Sequence, residues 1–282
     1  MMRLFLILFV LLGFSVPAAA DTPSHLRSLE QQLRYIEAAN PGNVGIAALD
    51  LSSGEMVSVQ GDEPFPMASV VKIAIAAQYL AQVEYGRRTL DQTIGGKPAR
   101  RHLEAMIIKS DNLSTDIILR DLGGPKKVQE WLADNHVKGV RVDRTIARLL
   151  SDRRDLSDRR DSATPKAMVS LLQRLDSSTL LRPASRAYLL GLMARCQTGK
   201  NRMRGLLPYG TPVEHKTGTL NGLTTDVGYI TLPDGRRLAI ALFARHGTNR
   251  PSILASAARK IYDGFVNVFA LPFGTRTPVV LR

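Results

Sequence analysis

A serine and a lysine three positions apart could carry out acyl transfer near residue 70. The segment Ser69-Val-Val-Lys72 follows Pro66 and predicts a helix over residues 69–85. Ser69 would lie at the helix N-terminus, where unpaired backbone N–H groups and the positive end of the dipole favour a developing anion. Lys72 would lie one turn away on the same face. A hydroxyl nucleophile beside an amine base is the minimum for covalent acyl transfer.

Lys72 can act as a base only if its pKa is lowered, which requires burial beside another cation. Lys216 could supply that second charge. The helix around Lys72 is apolar on nearly all sides, which indicates burial, at Val70, Val71, Ile73, Ile75 and Ala76. The competing interpretation is a helix-capping serine followed by a lysine in solvent.

Two further triplets follow in the chain. Ser110-Asp111-Asn112 precedes a predicted helix, and Lys216-Thr217-Gly218 lies at the end of a predicted strand. Each is weak by itself, because the first could be an ordinary polar turn that caps the next helix. The three motifs in this order resemble the active-serine class A β-lactamases and the related penicillin-binding DD-peptidases. The resemblance covers nearly all of the chain after its N-terminal segment.

The resemblance implies a role for each motif residue. In catalysis, Ser69 would be the nucleophile, Lys72 the base and Ser110 a proton relay to the leaving nitrogen. Asp111 would hold its loop.

The resemblance also implies how substrate binds. Asn112 would hydrogen-bond the substrate's side-chain amide, and Lys216 and Thr217 would bind its carboxylate. The backbone N–H groups of Ser69 and Thr219 would form the oxyanion hole. Gly218 would let its strand approach closely, while His215 is expected to be structural.

One part of the family pattern is missing. In the β-lactamases, a loop glutamate activates the water that hydrolyses the acyl-enzyme. Here Arg144 and Asp161 match the two ends of that loop, and they are predicted to form an ion pair at its neck. The glutamate position falls on Ile146, and no Glu occurs between Glu130 and Glu214. The chain therefore resembles most closely the members that lack this glutamate, which implies acylation followed by slow release.

The same loop contains an exact repeat, Leu150-Ser-Asp-Arg-Arg-Asp155 followed by Leu156-Ser-Asp-Arg-Arg-Asp161. Its alternating charges predict a solvated loop, and an arginine-rich recognition element is the alternative. Asp152, Asp155 and Asp158 are the other carboxylates of the loop, and we expect their neighbouring arginines to keep them in solvent.

The fold predicted from periodicity is α+β. Strands are predicted over 44–50, 55–60, 213–217, 225–232 and 237–244. Helices are predicted over 23–39, 69–85, 100–108, 113–122, 125–135, 165–175, 183–194 and 251–265. This order implies an antiparallel sheet built from both chain ends, with an all-helical insertion. The resemblance implies one catalytic domain over residues 21–282, with an α/β lobe at about 21–65 and 205–282 and a helical lobe at about 66–204.

The N-terminal residues 1–20 predict a secretory signal, with an apolar run and Ala18-Ala19-Ala20 before cleavage at Asp21. A membrane anchor is the alternative, but the run is shorter than the roughly 20 residues that span a bilayer. We therefore expect an exported, periplasmic or secreted protein without a membrane span after cleavage.

Composition limits partners and cofactors. The net charge of +13 favours polyanions, such as anionic cell-wall polymer or lipid headgroups, although it could serve solubility alone. No nucleic-acid recognition motif is found, so nucleic acid is not expected. Cys196 is the single cysteine, and the five histidines are scattered, so neither an internal disulfide nor a metal site is predicted. No cofactor is expected, and we expect the protein to be a monomer.

The sequence leaves several functions open. The leading hypothesis is an exported serine acyl-transferase or hydrolase that acts on D-Ala-D-Ala peptides, with peptidoglycan as a possible partner, and is acylated by β-lactams. The alternatives are a genuine β-lactamase with another water-activating group, a non-catalytic cell-wall or β-lactam sensor, and a promiscuous esterase.

Overall fold

The computed structural model describes residue 22 and residues 24–40, 42–152 and 155–268. The predicted signal peptide and its cleavage site lie outside these residues. The strands are β1 Asn43–Asp50, β2 Met56–Val59, β3 Phe65–Pro66, β4 Thr93–Ile94, β5 Lys97–Pro98, β6 Ser162–Ala163, β7 Val213–Leu220, β8 Leu223–Thr231 and β9 Arg237–Arg245. The helices are α1 Arg27–Ala38, α2 Lys72–Glu84, α3 Ala99–Ile108, α4 Asn112–Asp121, α5 Pro125–Asp134, α6 Ile146–Ser151, α7 Pro165–Asp176, α8 Pro183–Ala194 and α9 Arg250–Val268. Short 3₁₀ turns cover Ser24–Leu26 and Ala68–Val71.

Five long strands form one antiparallel sheet in the order β2-β1-β9-β8-β7. Strand β1 pairs along its whole length with β9, with Ala47 opposite Ala241. The first two strands and the last three therefore share a sheet, and helices α2 to α8 come between them in sequence. This confirms the α+β class and the prediction that both chain ends build the sheet.

Both faces of the sheet are covered, which explains why the central strands β1 and β9 are apolar along nearly their whole length. Successive side chains of a strand point to opposite faces. In β9, Ile240 and Leu242 belong to the core formed with α1 and α9. Their neighbours Ala241 and Phe243 belong to the larger core formed with the helices between β2 and β7.

Helix α2 runs through the middle of that larger core. Its residues from Lys72 to Ala81 are all buried, and it contacts α3, α4, α5 and α8. Burying a lysine among apolar side chains costs free energy unless its amine is hydrogen-bonded or neutral. The buried position of Lys72 in α2 therefore favours a hydrogen-bonded or neutral amine.

The loop between α5 and α7 differs from its prediction. Residues 146–151 form helix α6, capped by the Thr145 hydroxyl, which accepts the Arg148 N–H at 3.2 Å. The repeat is only partly solvated, because Leu156 packs against Leu220 and Leu223, which flank the turn between β7 and β8. Arg153 and Arg154 of the first copy lie outside the described residues.

In the part of the chain that the structure describes, no helix combines the length and apolar character needed to cross a membrane.

Candidate active site

Ser69 lies on a tight turn that leads into α2, beside β7. The turn is 3₁₀ and the α-helix begins only at Lys72, whereas the sequence predicted one helix from Ser69. Ala68 has a φ of +49°, which residues with a side chain rarely adopt. The Met67 N–H donates to the Asp161 carbonyl at 2.9 Å and holds the chain in this path. Strain supported by its surroundings is common at functional sites.

Strand β7 approaches this turn closely because residue 218 has no side chain. A Cβ at Gly218 would lie 2.7 Å from the Met67 carbonyl oxygen and 3.0 Å from Ala68 Cβ. The Thr225 hydroxyl donates to the same Met67 oxygen at 3.4 Å. The close approach brings the Lys216-Thr217-Gly218 segment against the turn that carries Ser69.

Lys72 is fully buried one helical turn after Ser69. Its Nζ donates to the Ser110 carbonyl and to Asn112 Oδ1, both at 2.8 Å, and lies 3.3 Å from Ser110 Oγ. Burial, and then the charge of Lys216, lower its pKa to about 7. Neutral amine is therefore present at neutral pH, which a general base requires.

Ser110 lies between two buried lysines. Lys216 Nζ donates to Ser110 Oγ at 2.9 Å and to the Thr217 carbonyl at 2.8 Å. Burial lowers the pKa of Lys216 to about 8. Ser110 itself has a φ of +60°. This unusual backbone lets Ser110 present both its carbonyl and its hydroxyl to Lys72.

Asp111 holds the Ser110–Asn112 segment in place. Its carboxylate accepts the Ser114 N–H at 2.7 Å, and its carbonyl accepts the Thr115 hydroxyl at 2.6 Å. These bonds cap α4. The exposed Asn112 is thereby fixed at the helix start, with its Oδ1 turned to Lys72.

Arg202 is a site residue that the sequence analysis missed. Its guanidinium donates to the Gly218 carbonyl at 2.8 Å and to the Thr219 hydroxyl at 2.7 Å. It therefore places a second cation near Lys216, at the end of β7 that carries Gly218 and Thr219. No motif marks it, because it comes from an irregular segment before the strand.

On β7, His215 forms a buried ion pair with Asp226 of the neighbouring strand β8, Nδ1 to Oδ1 at 2.7 Å. Both side chains are fully buried. The pairing fits the structural role expected for His215.

The predicted pair at the loop neck is present. Arg144 Nε lies 2.6 Å from Asp161 Oδ2, and Asp161 Oδ1 accepts the backbone N–H groups of Asp143 and Arg144 at 2.8 and 3.0 Å. The Arg144 guanidinium also pairs with Asp152 at 2.9 Å and Asp158 at 3.4 Å. The Arg144 guanidinium thus holds three carboxylates, and two of them, Asp152 and Asp158, point inward instead of into solvent.

The residue at the glutamate position is apolar and buried. Ile146 begins α6 and packs in the larger core. The backbone N–H groups of Ile146 and Ala147 donate to the two oxygens of Asp116 at 2.7 and 2.8 Å. Asp116, which sequence analysis also missed, raises the pKa of Lys72 against the larger effect of burial. Asp116 thereby links the loop that contains Ile146 to helix α4, which follows the Ser110 motif.

Taken together, the fold and the two lysines around a serine hydroxyl define an active-serine hydrolase. A family model described as the beta-lactamase enzyme family matches residues 28–265, and the chain belongs to this family. In the described residues, no group of three or more His, Cys, Asp or Glu side chains is arranged to hold a metal.

Individual relatives agree with this assignment. Extended-spectrum beta-lactamase PER-1 of Pseudomonas aeruginosa is 28% identical over 276 residues, covering 86% of this chain and 89% of that protein. Beta-lactamase VEB-1 of the same organism is 29% identical over 299 residues, covering 94% and 98%. The solved structure of the last common ancestor of Gram-negative bacteria class A beta-lactamase, GNCA4, has a TM-score of 0.80 and 31% identity, covering 84% of this chain and 99% of that one.

Proposed function

We propose that this protein forms an acyl-enzyme at Ser69 with β-lactams and with D-Ala-D-Ala peptides, and that water releases the β-lactam acyl group slowly. The observation that carries the proposal is the Ser110 hydroxyl, which lies 3.3 Å from the Lys72 amine and 2.9 Å from the Lys216 amine. A proton can move from the nucleophile to the leaving group through such an arrangement.

Acylation begins when neutral Lys72 takes the proton of Ser69. The Ser69 oxygen attacks the carbonyl carbon of the amide, and negative charge collects on the carbonyl oxygen. The backbone N–H groups of Ser69 and Thr219 stabilise that charge. The C–N bond then breaks, and the proton on Lys72 passes through Ser110 to the leaving nitrogen, so that Lys72 is neutral again.

Substrate is held by its charged and polar ends. A carboxylate beside the scissile amide binds Lys216 and the Thr217 hydroxyl, and Arg202 adds its positive charge next to Thr219. The side-chain amide of Asn112 binds an amide of the substrate. β-Lactams and D-Ala-D-Ala peptides share these features, an amide next to a terminal carboxylate.

Slow deacylation is expected because the residue at the loop's glutamate position, Ile146, is apolar. Buried Ile146 has no group that could take a proton from water. Loss of a general base costs about 10²–10⁴ in the step it serves. The acyl-enzyme formed from a β-lactam should therefore accumulate.

A genuine β-lactamase is the second candidate function. The position of the Asp116 carboxylate, between the loop and Lys72, favours it. This carboxylate binds the loop backbone and acts on the charge of Lys72. The curated relatives described above are also named β-lactamases. However, both oxygens of Asp116 already accept backbone N–H bonds from Ile146 and Ala147, so they are engaged in holding the loop and are not directed at a water molecule. We therefore favour slow release.

Fluorescent penicillin, added in excess and then chased with unlabelled drug, tests this function. We expect one label per molecule that persists through the chase and is absent from Ser69→Ala. A chromogenic cephalosporin should give a burst of one equivalent followed by slow turnover. Rapid multiple turnover would support the β-lactamase candidate instead. If the wild type forms no adduct, the result would support the non-catalytic sensor instead.

We also infer that residues 21–282 form one exported, monomeric catalytic domain that acts near peptidoglycan. The apolar segment at residues 1–20 supports export. The intact mass of protein recovered from the periplasm tests this, since cleavage should leave Asp21 as the first residue.

A further inference from the structure

Behind Lys216 lies a series of buried polar side chains that the reaction above does not use. Asp226 Oδ1 is 2.7 Å from His215 Nδ1. The other ring nitrogen, Nε2, is buried and lacks a close hydrogen-bond partner among the described residues. His215 also interacts with the nearby Cys196 thiol. A carboxylate, an imidazole and a thiol therefore follow one another inside the protein.

The series continues to the substrate side of β7. Cys196 Sγ lies 3.3 Å from Thr198 Oγ1, which shares a short hydrogen bond with Thr217 Oγ1. The next residue, Gly199, packs so tightly that an added Cβ would lie 2.5 Å from Thr217 Cγ2. The thiol is thus connected to the hydroxyl that we assign to the substrate carboxylate.

The thiol and the imidazole carry opposite charges near neutral pH. Burial raises the pKa of Cys196, but its electrostatic interaction with the nearby His215 outweighs that effect and lowers the pKa to about 6. Burial also opposes charge on His215, yet Asp226 and Cys196 raise its pKa to about 9. Lys216 and Arg202 are the other charged groups facing the thiol. The pair is therefore thiolate and imidazolium at pH 7.

The charge on sulfur decides which hydroxyl donates. A thiolate has no proton, so Thr198 must donate to it. A hydroxyl has only one proton, so Thr198 can then only accept from Thr217, whose proton points away from substrate. When Cys196 is protonated, its S–H can donate to Thr198, Thr198 donates to Thr217, and the Thr217 proton is available to a carboxylate.

We propose that Cys196 is a positioning residue that acts through Thr198 to set the direction in which the Thr217 hydroxyl donates, and so controls binding of the substrate carboxylate. This inference rests on the proposed function, because it requires Thr217 to bind that carboxylate. The thiolate state weakens carboxylate binding and the thiol state strengthens it.

Thr198→Ala tests the connection and leaves Cys196, His215 and Asp226 intact. The second-order rate of acylation by a penicillin is measured from pH 5 to pH 8 for the variant and the wild type. The rate of Thr198→Ala divided by the rate of the wild type should rise about fivefold from pH 5 to pH 8. The reason is that the wild type loses one hydrogen bond to the substrate carboxylate when the thiolate forms. Thr198→Ser restores the hydroxyl and should restore the wild-type profile. With the penicillin methyl ester, which lacks the carboxylate charge, the ratio should not change with pH.

The thiolate is observed independently by its absorption near 240 nm, with Cys196→Ala as the blank. Its titration midpoint should coincide with the midpoint of the rate ratio. A ratio that is flat with pH, an equal rise with the methyl ester, or no thiolate between pH 5 and 8 overturns the inference while acylation itself remains. If the wild type forms no adduct at all, the proposed function fails and the carboxylate role of Thr217 fails with it.

Discussion

Lys72 and Lys216 reach the same hydroxyl from different elements, Lys72 from α2 and Lys216 from β7. Their Nζ atoms lie 3.3 and 2.9 Å from Ser110 Oγ. Two ammonium groups this close, both fully buried, disfavour each other's charge. The second lysine therefore helps burial to lower the pKa of the first. The pH dependence of acylation should report both amines.

We expect acylation by a penicillin to follow a bell-shaped pH profile. The pKa of Lys72 is about 7, so the rate should rise as pH increases through 7 and the base becomes neutral. The pKa of Lys216 is about 8, so the rate should fall as pH increases through 8 and the charge that binds the carboxylate is lost. Stopped-flow acylation rates across pH 5–10 measure both limbs.

Lys216→Arg separates the two limbs, because a guanidinium stays charged throughout this range. The rising limb should remain near pH 7, and the falling limb should disappear. A falling limb unchanged in Lys216→Arg would contradict the assignment of that limb to Lys216.

Introducing a base at the loop should shorten the lifetime of the acyl-enzyme. Ile146→Glu places a carboxylate at the family's position, and we expect the penicillin adduct to decay about 10²-fold faster. Decay of the fluorescent adduct measures this. Ile146→Gln is the matched control, since it has nearly the same shape and polarity without a basic group. Equal acceleration by both variants would attribute the effect to a loosened loop.

The close contact between β7 and the Ser69 turn should be sensitive to one methyl group. In Gly218→Ala the new Cβ would lie 2.7 Å from the Met67 carbonyl oxygen, so β7 must move away from the turn. Because misplacement by about 1 Å can cost about 10²-fold, we expect a loss of acylation of that order. Labelling rates with fluorescent penicillin measure it.

Gly191→Ala is the control for this substitution. Gly191 lies in α8, and nothing lies within 4 Å of an added Cβ. Its acylation rate should be unchanged, and the variant should be stabilised by up to about 1 kcal/mol, because alanine favours helix. Equal acylation rates in Gly218→Ala and wild type would show that the close contact is not needed.

The ion pair at the loop neck should contribute to stability. Asp161→Ala removes a buried partner of Arg144 and the acceptor of two backbone N–H groups. Breaking a buried pair costs about 3–5 kcal/mol. We expect the lower end of that range, because Asp152 and Asp158 still neutralise Arg144. Urea unfolding measures the change.

Asp91→Ala provides the comparison at the surface. Asp91 also pairs with an arginine, Arg100, but its side chain is 78% exposed. Surface pairs contribute about 0–1 kcal/mol, so the free energy of unfolding should change little. If Asp161→Ala and Asp91→Ala lower the free energy of unfolding by similar amounts, the ion pair at the loop neck stabilises the protein no more than a surface pair does.

Much of the architecture follows from local patterns. Sequence periodicity predicted the strands near both chain ends, and the order of strands and helices predicted α+β. Helix α6 was missed because Thr145 caps a short helix whose first N–H groups are satisfied by the distant Asp116. The 3₁₀ turn at Ser69 was missed because the contact between Met67 and Asp161 imposes it.

The sequence by itself determined which groups are available: a serine and lysine one turn apart, a Ser-Asp-Asn turn, a Lys-Thr-Gly strand, and a loop without glutamate. Only the tertiary structure decided how these groups interact. Lys72 meets Ser110 across 38 positions, and Lys216 meets Ser110 across 106. Arg202 and the Cys196–Thr198 connection carry no local signature. A pKa or a donor direction depends on burial and on neighbouring charges, which exist only after distant segments pack together.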